Sequence, residues 1–200
     1  MNKSFSIFVI ALFLFIAGCS HHIQLNPNIQ PNVYSIDKSD FPVGVVFTDK
    51  LSSHVEHVNP STYVGSAHSY NFDLGSTLKS ALLRSVEIAH NSVSSVNSTG
   101  EFNKYRMGYK FDLENCQIDV TFVEGFLSAS AKGNVSISVS LEIYDQENGG
   151  LQKRLTISGS GFCSGAASPF QADKLFAKAV EDAIKQISEG VANALLSLNI

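Results

Sequence analysis

The amino-terminal segment most restricts what this chain can become. One basic residue, Lys3, precedes a largely apolar run from Phe5 to Ala17. A basic start, a short apolar core and small residues at a cut site are typical of a secretory signal peptide. The run is shorter than the roughly 20 residues that a membrane-spanning helix needs. We therefore predict that residues 1–18 are a signal peptide and that the remainder of the chain is exported.

The end of this run, Ile16-Ala17-Gly18-Cys19, resembles the lipobox of bacterial lipoproteins. In that family the cysteine thiol receives a diacylglycerol, the signal peptide is cut before the cysteine, and the new amino group is acylated. The resemblance implies that Cys19 is lipidated with palmitate-type chains. A single chain attaches a protein only reversibly, so two or three chains are needed for a lasting membrane anchor. An ordinary signal peptide followed by a chance cysteine is the alternative.

The residue after the cysteine bears on localisation. In enteric-type lipoproteins an Asp at this position favours retention in the inner membrane. This chain has Ser20 instead. By resemblance we expect the protein in the outer membrane, anchored by its lipid and facing the periplasm.

Composition narrows the class of partner. The chain carries 14 basic and 18 acidic residues for a net charge of −4, and only 16% of its residues are charged. Nucleic-acid-binding proteins carry a basic patch, and this chain is acidic overall. We therefore expect no nucleic-acid partner. The expected partners are the membrane, through the anchor at Cys19, and a protein of the cell envelope.

Residues 19–41 form the lipidated amino terminus and a flexible tether in our interpretation, and residues 42–200 form one domain. Pro27 and Pro31 break helix and strand patterns in the tether. A flexible coil of 22 residues spans about 26 Å. His21 and His22 would be solvated there, because adjacent histidines in a linker rarely bind metal.

The first half of the domain shows two clear patterns. The Val-rich run at 43–47 predicts a buried strand. Apolar residues spaced three and four apart predict a helix over 73–90, capped by Asn71 or Asp73. Residues 92–97 favour a short strand, and residues 49–70 have no clear period and are interpreted as a long loop, with room for one short strand.

The second half alternates apolar and polar residues, as strands with one wet face do. Two alternating runs of opposite parity, 105–113 and 118–122, predict a turn or bulge near Glu114-Asn115. The clearest strand is 135–143. A hairpin turn at Asn148-Gly149-Gly150 leads into a returning strand that ends at Gly159-Ser160-Gly161.

A long carboxy-terminal helix completes the pattern. Ser168, Pro169 and Gln171 form a capping-box start for a helix that runs to about residue 197. Two amphipathic helices and a half-wet sheet can bury one another's apolar faces. The predicted fold class is therefore α+β, an antiparallel sheet with two helices packed on one face.

Two cysteines besides Cys19 remain in the mature chain. Cys116 shares parity with Ile118, and Cys163 shares parity with Ile157, so both are expected on the core side. In an oxidising compartment such a pair can form a disulfide. The alternatives are a Cys116–Cys163 bridge and two buried free thiols.

No catalytic set is recognisable in the sequence. His54-x-x-His57 with Glu56 has a spacing that would suit a metal on a helix, but Pro60 and the missing apolar period favour a solvated loop. Gly159-Ser160-Gly161 is not a GxSxG elbow, and close backbone packing explains it better. We expect no enzymatic activity, no metal and no cofactor.

The loop 49–70 is our candidate for partner contact. It contains Tyr63 and Tyr70 among small polar residues. Tyrosine is favoured at interfaces because its rigid ring supplies apolar area while its hydroxyl stays hydrogen-bonded. The alternative is that both tyrosines only pack the loop onto the domain.

The order of elements resembles small outer-membrane lipoproteins of the YajG type and, more loosely, of the LptE and ABC-transporter-auxiliary type. The resemblance rests on the Val-rich strand ending at Asp49, the helix opening at Asp73, the phrase Ile143-Tyr144-Asp145 and the Ala-rich last helix. It implies a non-enzymatic accessory or interaction module of envelope assembly or transport. A lipoprotein that binds lipid or a small amphiphile is the alternative.

Overall fold

The computed structural model describes most of the chain after residue 18. Residues 1–18 lie outside it; the described residues are 19–35, 37–62, 67–124, 129–147, 150–166, 168 and 171–198. The strands are β1 (Cys19–Ile23), β2 (Val43–Phe47), β3 (Val55–Val58), β4 (His68–Asp73), β5 (Val93–Ser95), β6 (Met107–Glu124), β7 (Ala129–Asp145) and β8 (Gly150–Ala166). The helices are α1 (Asp49–Ser52), α2 (Leu74–Ala89), α3 (Asp173–Leu196) and a 3-10 helix (Thr99–Lys104).

The large sheet has five strands in the order β5-β2-β6-β7-β8. The β6-β7-β8 meander is antiparallel, as predicted, but β2 pairs in parallel with both β5 and β6. Parallel neighbours need a crossover connection, which α2 provides between β2 and β5. The prediction of a purely antiparallel sheet is therefore wrong for this edge.

The meander strands are longer than their sequence patterns indicated. A register shift between Leu113 and Asn115 lets β6 continue as one strand of 18 residues. This confirms the predicted bulge, which restores the apolar residues of the second run to the core face. The turn residues Asn148 and Gly149 lie outside the described residues, and Gly150 has a positive φ of 108°.

Helix α3 lies directly against β7 and β8. A Cβ atom added at Gly159 would lie 2.0 Å from the carbonyl oxygen of Ala183, and one at Gly161 would lie 1.8 Å from that of Ala179. No side chain fits such gaps, so the two glycines let the helix backbone touch the strand. The close packing predicted for this Gly-Ser-Gly stretch is confirmed.

Helix α2 is confirmed, and one of its two predicted cap residues lies at the cap position. Asp73 occupies the cap position without a side-chain hydrogen bond, and the Asn71 amide instead donates to the hydroxyl of Ser20. Helix α3 begins at Asp173, later than the capping box indicated, after Ala172 in the cap position. Pro169 lies outside the described residues.

The two long helices contact each other through a buried serine. The hydroxyl of Ser85 on α2 donates to the carbonyl of Ala81 in its own helix and lies 2.9 Å from the carbonyl of Ser188 on α3. A shared hydroxyl of this kind satisfies a buried polar group while fixing the spacing of the helices. The chain is therefore mixed α+β, with two sheets and a helical layer.

The small sheet was not predicted. Its order is β1-β4-β3, with β1 parallel and β3 antiparallel to β4. The stretch 49–70 was predicted to be a long loop with room for one short strand. It contains α1, β3 and the start of β4, so the prediction is wrong for α1 and for the second strand. Tyr70 and Phe72 on β4 are fully buried, which shows what the segment contributes to the core.

Candidate functional site

Cys19, the cysteine of the predicted lipobox, is the first residue of a strand. Cys19 is exposed, pairs with His68, and its backbone N–H donates to the carbonyl of Ala67 at 2.9 Å. Five residues from Cys19 to Ile23 follow β4 in parallel register. An acylated amino group would keep this N–H as an amide, so lipidation is compatible with the strand.

The rest of the expected tether lies on the helices. The backbone N–H of Asn26 donates to the Glu181 carboxylate at 2.8 Å, and that of Asn32 donates to Glu189 at 3.1 Å, both on α3. Arg84 on α2 donates to the carbonyl of Ile29 at 3.1 Å, and the Ile29 side chain is buried. The prediction of a flexible tether is therefore wrong for residues 19–32, because their backbone groups and two isoleucines find partners on the domain.

His21 joins β1 to β4 and α3. Its Nε2 lies 2.8 Å from Nδ1 of His68, its Nδ1 lies 3.1 Å from Oδ1 of Asp173, and its ring stacks on Tyr70 at 4.7 Å between centroids. Burial lowers the pKa of His68, the neighbouring His21 lowers it further, and Asp173 opposes both. His21 is thus part of the packing rather than a solvated linker histidine.

A second cluster joins the small sheet to the large one. His54 Nε2 lies 2.9 Å from Oε2 of Glu56, and the thiol of Cys116 on β6 lies beside the same carboxylate. The three candidate ligand atoms lie within 4.8 Å of one another, and all three residues are half-buried. His57 points elsewhere and bonds the side chain of Asn71 at 2.5 Å. The expectation of a solvated loop is wrong here.

The chemistry of this cluster follows from its donor atoms. Imidazole nitrogen, carboxylate oxygen and thiol sulfur are the three side-chain ligands that Zn²⁺ takes in proteins. Burial raises the pKa of Cys116 to about 12, and the neighbouring Glu56 carboxylate adds to the rise. The thiol is therefore protonated at neutral pH unless a cation replaces its proton. Part of this cluster could have been predicted from the sequence, because residues 54 and 56 lie on the same face of an extended chain. Cys116 is too distant in sequence to be associated with them.

Of the two alternatives for Cys116 and Cys163, the structure has the free thiols and not the bridge. Cys116 and Cys163 are free thiols on β6 and β8, with β7 between them. Cys116 pairs with Ile137 and Cys163 with Gly133. Two strand spacings already separate the Cα atoms by about 9–10 Å, beyond the roughly 7 Å limit for a bridge.

The partner-contact prediction fails for one of its two residues. Tyr70 is fully buried and makes ring contacts with Phe122 at 6.2 Å and with Phe176 at 5.1 Å. Burial raises its pKa, and Asp173 adds to the effect. The packing alternative is the right one for Tyr70. Tyr63 lies outside the described residues.

The polar face of the large sheet contains a buried carboxylate. Glu142 accepts hydrogen bonds from Lys110 at 3.1 Å, from the Tyr144 hydroxyl at 2.8 Å and from Arg154. Burial alone raises the pKa of Glu142, but the three donors outweigh it and lower the pKa to about 2. Lys110 on β6, Glu142 on β7 and Arg154 on β8 are direct partners in register. The network therefore clamps the three strands together.

Surface clefts follow the amino-terminal segment. One of about 330 Å³ is lined by residues that include Pro31, Tyr34 and Arg84, and one of about 370 Å³ includes His22 and Asp173. Both are open and partly polar, and neither separates the helices from the sheet. Among the described residues, no helix is long and apolar enough to cross a membrane.

Comparison with known proteins gives a likeness of fold. No family model matches the sequence, and no curated protein matches it. The crystal structure of a DUF330 protein from Xanthomonas campestris has a TM-score of 0.56 at 12% identity, covering 89% of this chain and 94% of that one. A minor lipoprotein from Acinetobacter baumannii has a TM-score of 0.42 at 9% identity, covering 78% and 94%. The first likeness shows a shared fold; the second is too distant to carry an argument.

Proposed function

We propose that the mature protein is anchored by lipid on Cys19 in the outer membrane, faces the periplasm, and is a non-catalytic accessory module of envelope assembly or transport. The observation that carries the proposal is the lipobox, Ile16-Ala17-Gly18-Cys19. The exposed position of Cys19 at the start of β1 supports it, because acyl chains there would leave the fold undisturbed.

The position of Cys19 has a consequence for how the domain meets the membrane. With no spacer between Cys19 and β1, acyl chains on its sulfur would hold the end of the domain that contains Ala67 against the headgroups. Ser61 and Thr62 contact the end of β6, so Val123 belongs to the same end. Glu147 follows β7 at the opposite end. The 15 steps along β7 from Ser130, the partner of Val123, to Asp145 span about 50 Å.

The anchor is tested first by chemistry. We expect the mass of the mature amino-terminal peptide to include a diacylglycerol and an acyl chain, and expect a palmitate analogue to label wild type but not Cys19→Ala. Cys19→Ala should leave the membrane fraction. An unlipidated Cys19, or a variant that fractionates with membranes as before, would refute the anchor.

The orientation is tested separately on lipidated protein in phosphatidylethanolamine–phosphatidylglycerol vesicles. A fluorophore on a cysteine replacing Val123 should be quenched by headgroup spin labels, whereas one replacing Glu147 should not. Both residues are exposed, so the pair is matched for accessibility. Equal quenching at both positions on a lipidated protein would reject the seating while leaving the anchor intact.

The accessory role rests on the resemblance to YajG-type and LptE-like lipoproteins. As part of this proposal, α2 and α3 cover one face of the large sheet. The other face is then accessible to a partner protein. Phe162 lies on that other face, because its neighbours Gly161 and Cys163 point towards α3, and 63% of it is exposed. The alternative function is binding of lipid or a small amphiphile.

Photo-crosslinking in cells separates the two functions. A crosslinking amino acid at Phe162 should give an adduct with one envelope protein in a fixed ratio. The same amino acid at Tyr34, which is 89% exposed and lines the 330 Å³ cleft, is the matched control. Lipid adducts at Tyr34 with no protein adduct at Phe162 would favour the amphiphile-binding alternative. Absence of adducts at both positions would count against both functions.

A further inference from the structure

We propose that His54, Glu56 and Cys116 form a binding site for a divalent transition-metal ion, with Zn²⁺ the best match. Their ligand atoms lie within 4.8 Å of one another. They come from three places in the fold: the turn after α1, the strand β3 and the middle of β6. This site is independent of the proposed anchor at Cys19.

The spacing of the three ligand atoms suits a single ion. Zn²⁺ binds nitrogen and oxygen at about 2.0–2.2 Å and sulfur at about 2.3 Å, so tetrahedral ligands stand roughly 3.3–3.6 Å apart. His54 and Glu56 are now 2.9 Å apart. Small side-chain rotations would therefore admit the ion.

The backbone around the site is held in place. The N–H of Gly75, at the start of α2, donates to the carbonyl of His54 at 2.9 Å. A Cβ atom on Gly75 would lie 2.5 Å from the carbonyl oxygen of Ser52, so the turn before His54 is pressed against α2. Glu56 is held by its ladder with Phe72. Fixed backbone positions of this kind reduce the ordering that an ion would require.

The bulge in β6 aims the third ligand. The register shift between Leu113 and Asn115 brings Cys116 onto the face of the sheet that also carries Leu113. Without that extra residue the thiol would point to the opposite face of the sheet. Bulges often re-aim a side chain in this way beside a functional site.

Binding changes the protonation of the site in a defined way. In the metal-free protein the protonated Cys116 thiol lies within 4.8 Å of a Glu56 carboxylate oxygen. A metal takes the sulfur as thiolate, the thiol proton leaves to solvent, and the Glu56 carboxylate becomes a ligand. Three protein ligands leave a fourth position for water. The ion would cross-link β3 of the small sheet to β6 of the large sheet.

Cobalt is the probe for this site. We expect the mature, chelator-treated protein to bind one Co²⁺ with a thiolate-to-cobalt charge-transfer band in the near ultraviolet, and expect Zn²⁺ to displace it. Cys116→Ser should abolish the band and weaken Zn²⁺ binding at least about 100-fold, because loss of a ligand exceeds the 10–100-fold effect of an outer-shell partner. Glu56→Gln should weaken binding without removing the thiolate band.

Matched controls come from the same chain. Cys163→Ser removes the buried thiol on β8, and His57→Ala removes a histidine on β3 that bonds Asn71 instead. Both should bind cobalt as wild type does. Melting curves of the metal-free variants establish that each is folded. Absence of the charge-transfer band in wild type, or a band that survives Cys116→Ser, would overturn the site.

Discussion

The two sheets of this protein are held together by different kinds of contact. In the large sheet, β6, β7 and β8 follow one another in the chain and are 17 or 18 residues long. In the small sheet, β1 pairs with β4 across 49 residues of sequence, and no strand is longer than six residues. The β6-β7-β8 meander is therefore formed by strands that are neighbours in the sequence, whereas the β2 edge of the same sheet pairs with β6 across 64 residues. The small sheet forms only when distant segments meet on the core.

The largest expected effect comes from the contact between the large sheet and α3. Gly161→Val places a side chain where the carbonyl oxygen of Ala179 is only 1.8 Å from an added Cβ. Since backbone must move away from backbone, we expect at least about 4 kcal/mol of destabilisation or no cooperative folding.

Gly100→Ala is the control for this change, because an added Cβ there has no neighbour closer than 3.5 Å. Urea unfolding of the control should match wild type to within about 0.5 kcal/mol. A Gly161→Val protein with a wild-type midpoint would show that α3 does not rest on β8 as described.

The next effect tests whether β1 belongs to the domain. Ile23 is 1% exposed, so we expect Ile23→Ala to destabilise the protein by about 2–4 kcal/mol, as buried isoleucines do. If residues 19–41 were a flexible tether, the same change would be neutral. Tyr34→Ala, in the same segment but 89% exposed, should have no measurable effect on urea unfolding.

The contrast between the sheets explains which parts of the fold could be predicted from the sequence. Strict alternation over 135–143 predicts a strand by itself, because one face of an antiparallel sheet is buried and the other is wet. The bulge near Asn115 is visible as a change of parity. The Gly-Ser-Gly stretch predicts close packing, although its partner α3 was not identifiable.

The small sheet gave no such signal. Only Ile23 is buried in β1, and the Pro residues that follow indicate a linker. Its strand geometry depends on β4, whose Tyr70 and Phe72 are buried by the rest of the fold. The His54–Glu56–Cys116 cluster depends on the same non-local meeting, so a single sequence without distance information cannot reveal it.

The polar face of the large sheet gives a smaller, pH-dependent effect. The folded-state pKa of Glu142 is about 2, below its ordinary 4.5. The contribution of Glu142 to the free energy of unfolding is therefore fully present above pH 4.5 and is lost as the pH falls towards 2. The pKa shift alone corresponds to about 3 kcal/mol of stability. Because Arg154 is 63% exposed, solvent screens its ion pair with Glu142, and we expect a contribution of roughly 1–2 kcal/mol.

Glu142→Gln should remove this part of the pH dependence between pH 5 and pH 2 in urea-unfolding curves. Glu147→Gln is the control, because its ion pair with Arg106 is exposed and 3.5 Å long. A Glu142→Gln curve parallel to that of wild type throughout this window would contradict the clamp across β6, β7 and β8.

The last prediction is that a reductant leaves the thermal stability of the protein unchanged. This result tests the strand order of the large sheet. Cys116 on β6 and Cys163 on β8 are separated by β7 and by four residues along it, from Ile137 to Gly133. A disulfide would require those strands to be neighbours, and its reduction would lower stability by typically 2–4 kcal/mol. We expect identical melting curves with and without reductant, and two reactive thiols per chain after non-reducing unfolding when Cys19 is a thioether. A fall in melting temperature on reduction, with no reactive thiols beforehand, would place β6 beside β8. It would also remove Cys116 from reach of a metal ion.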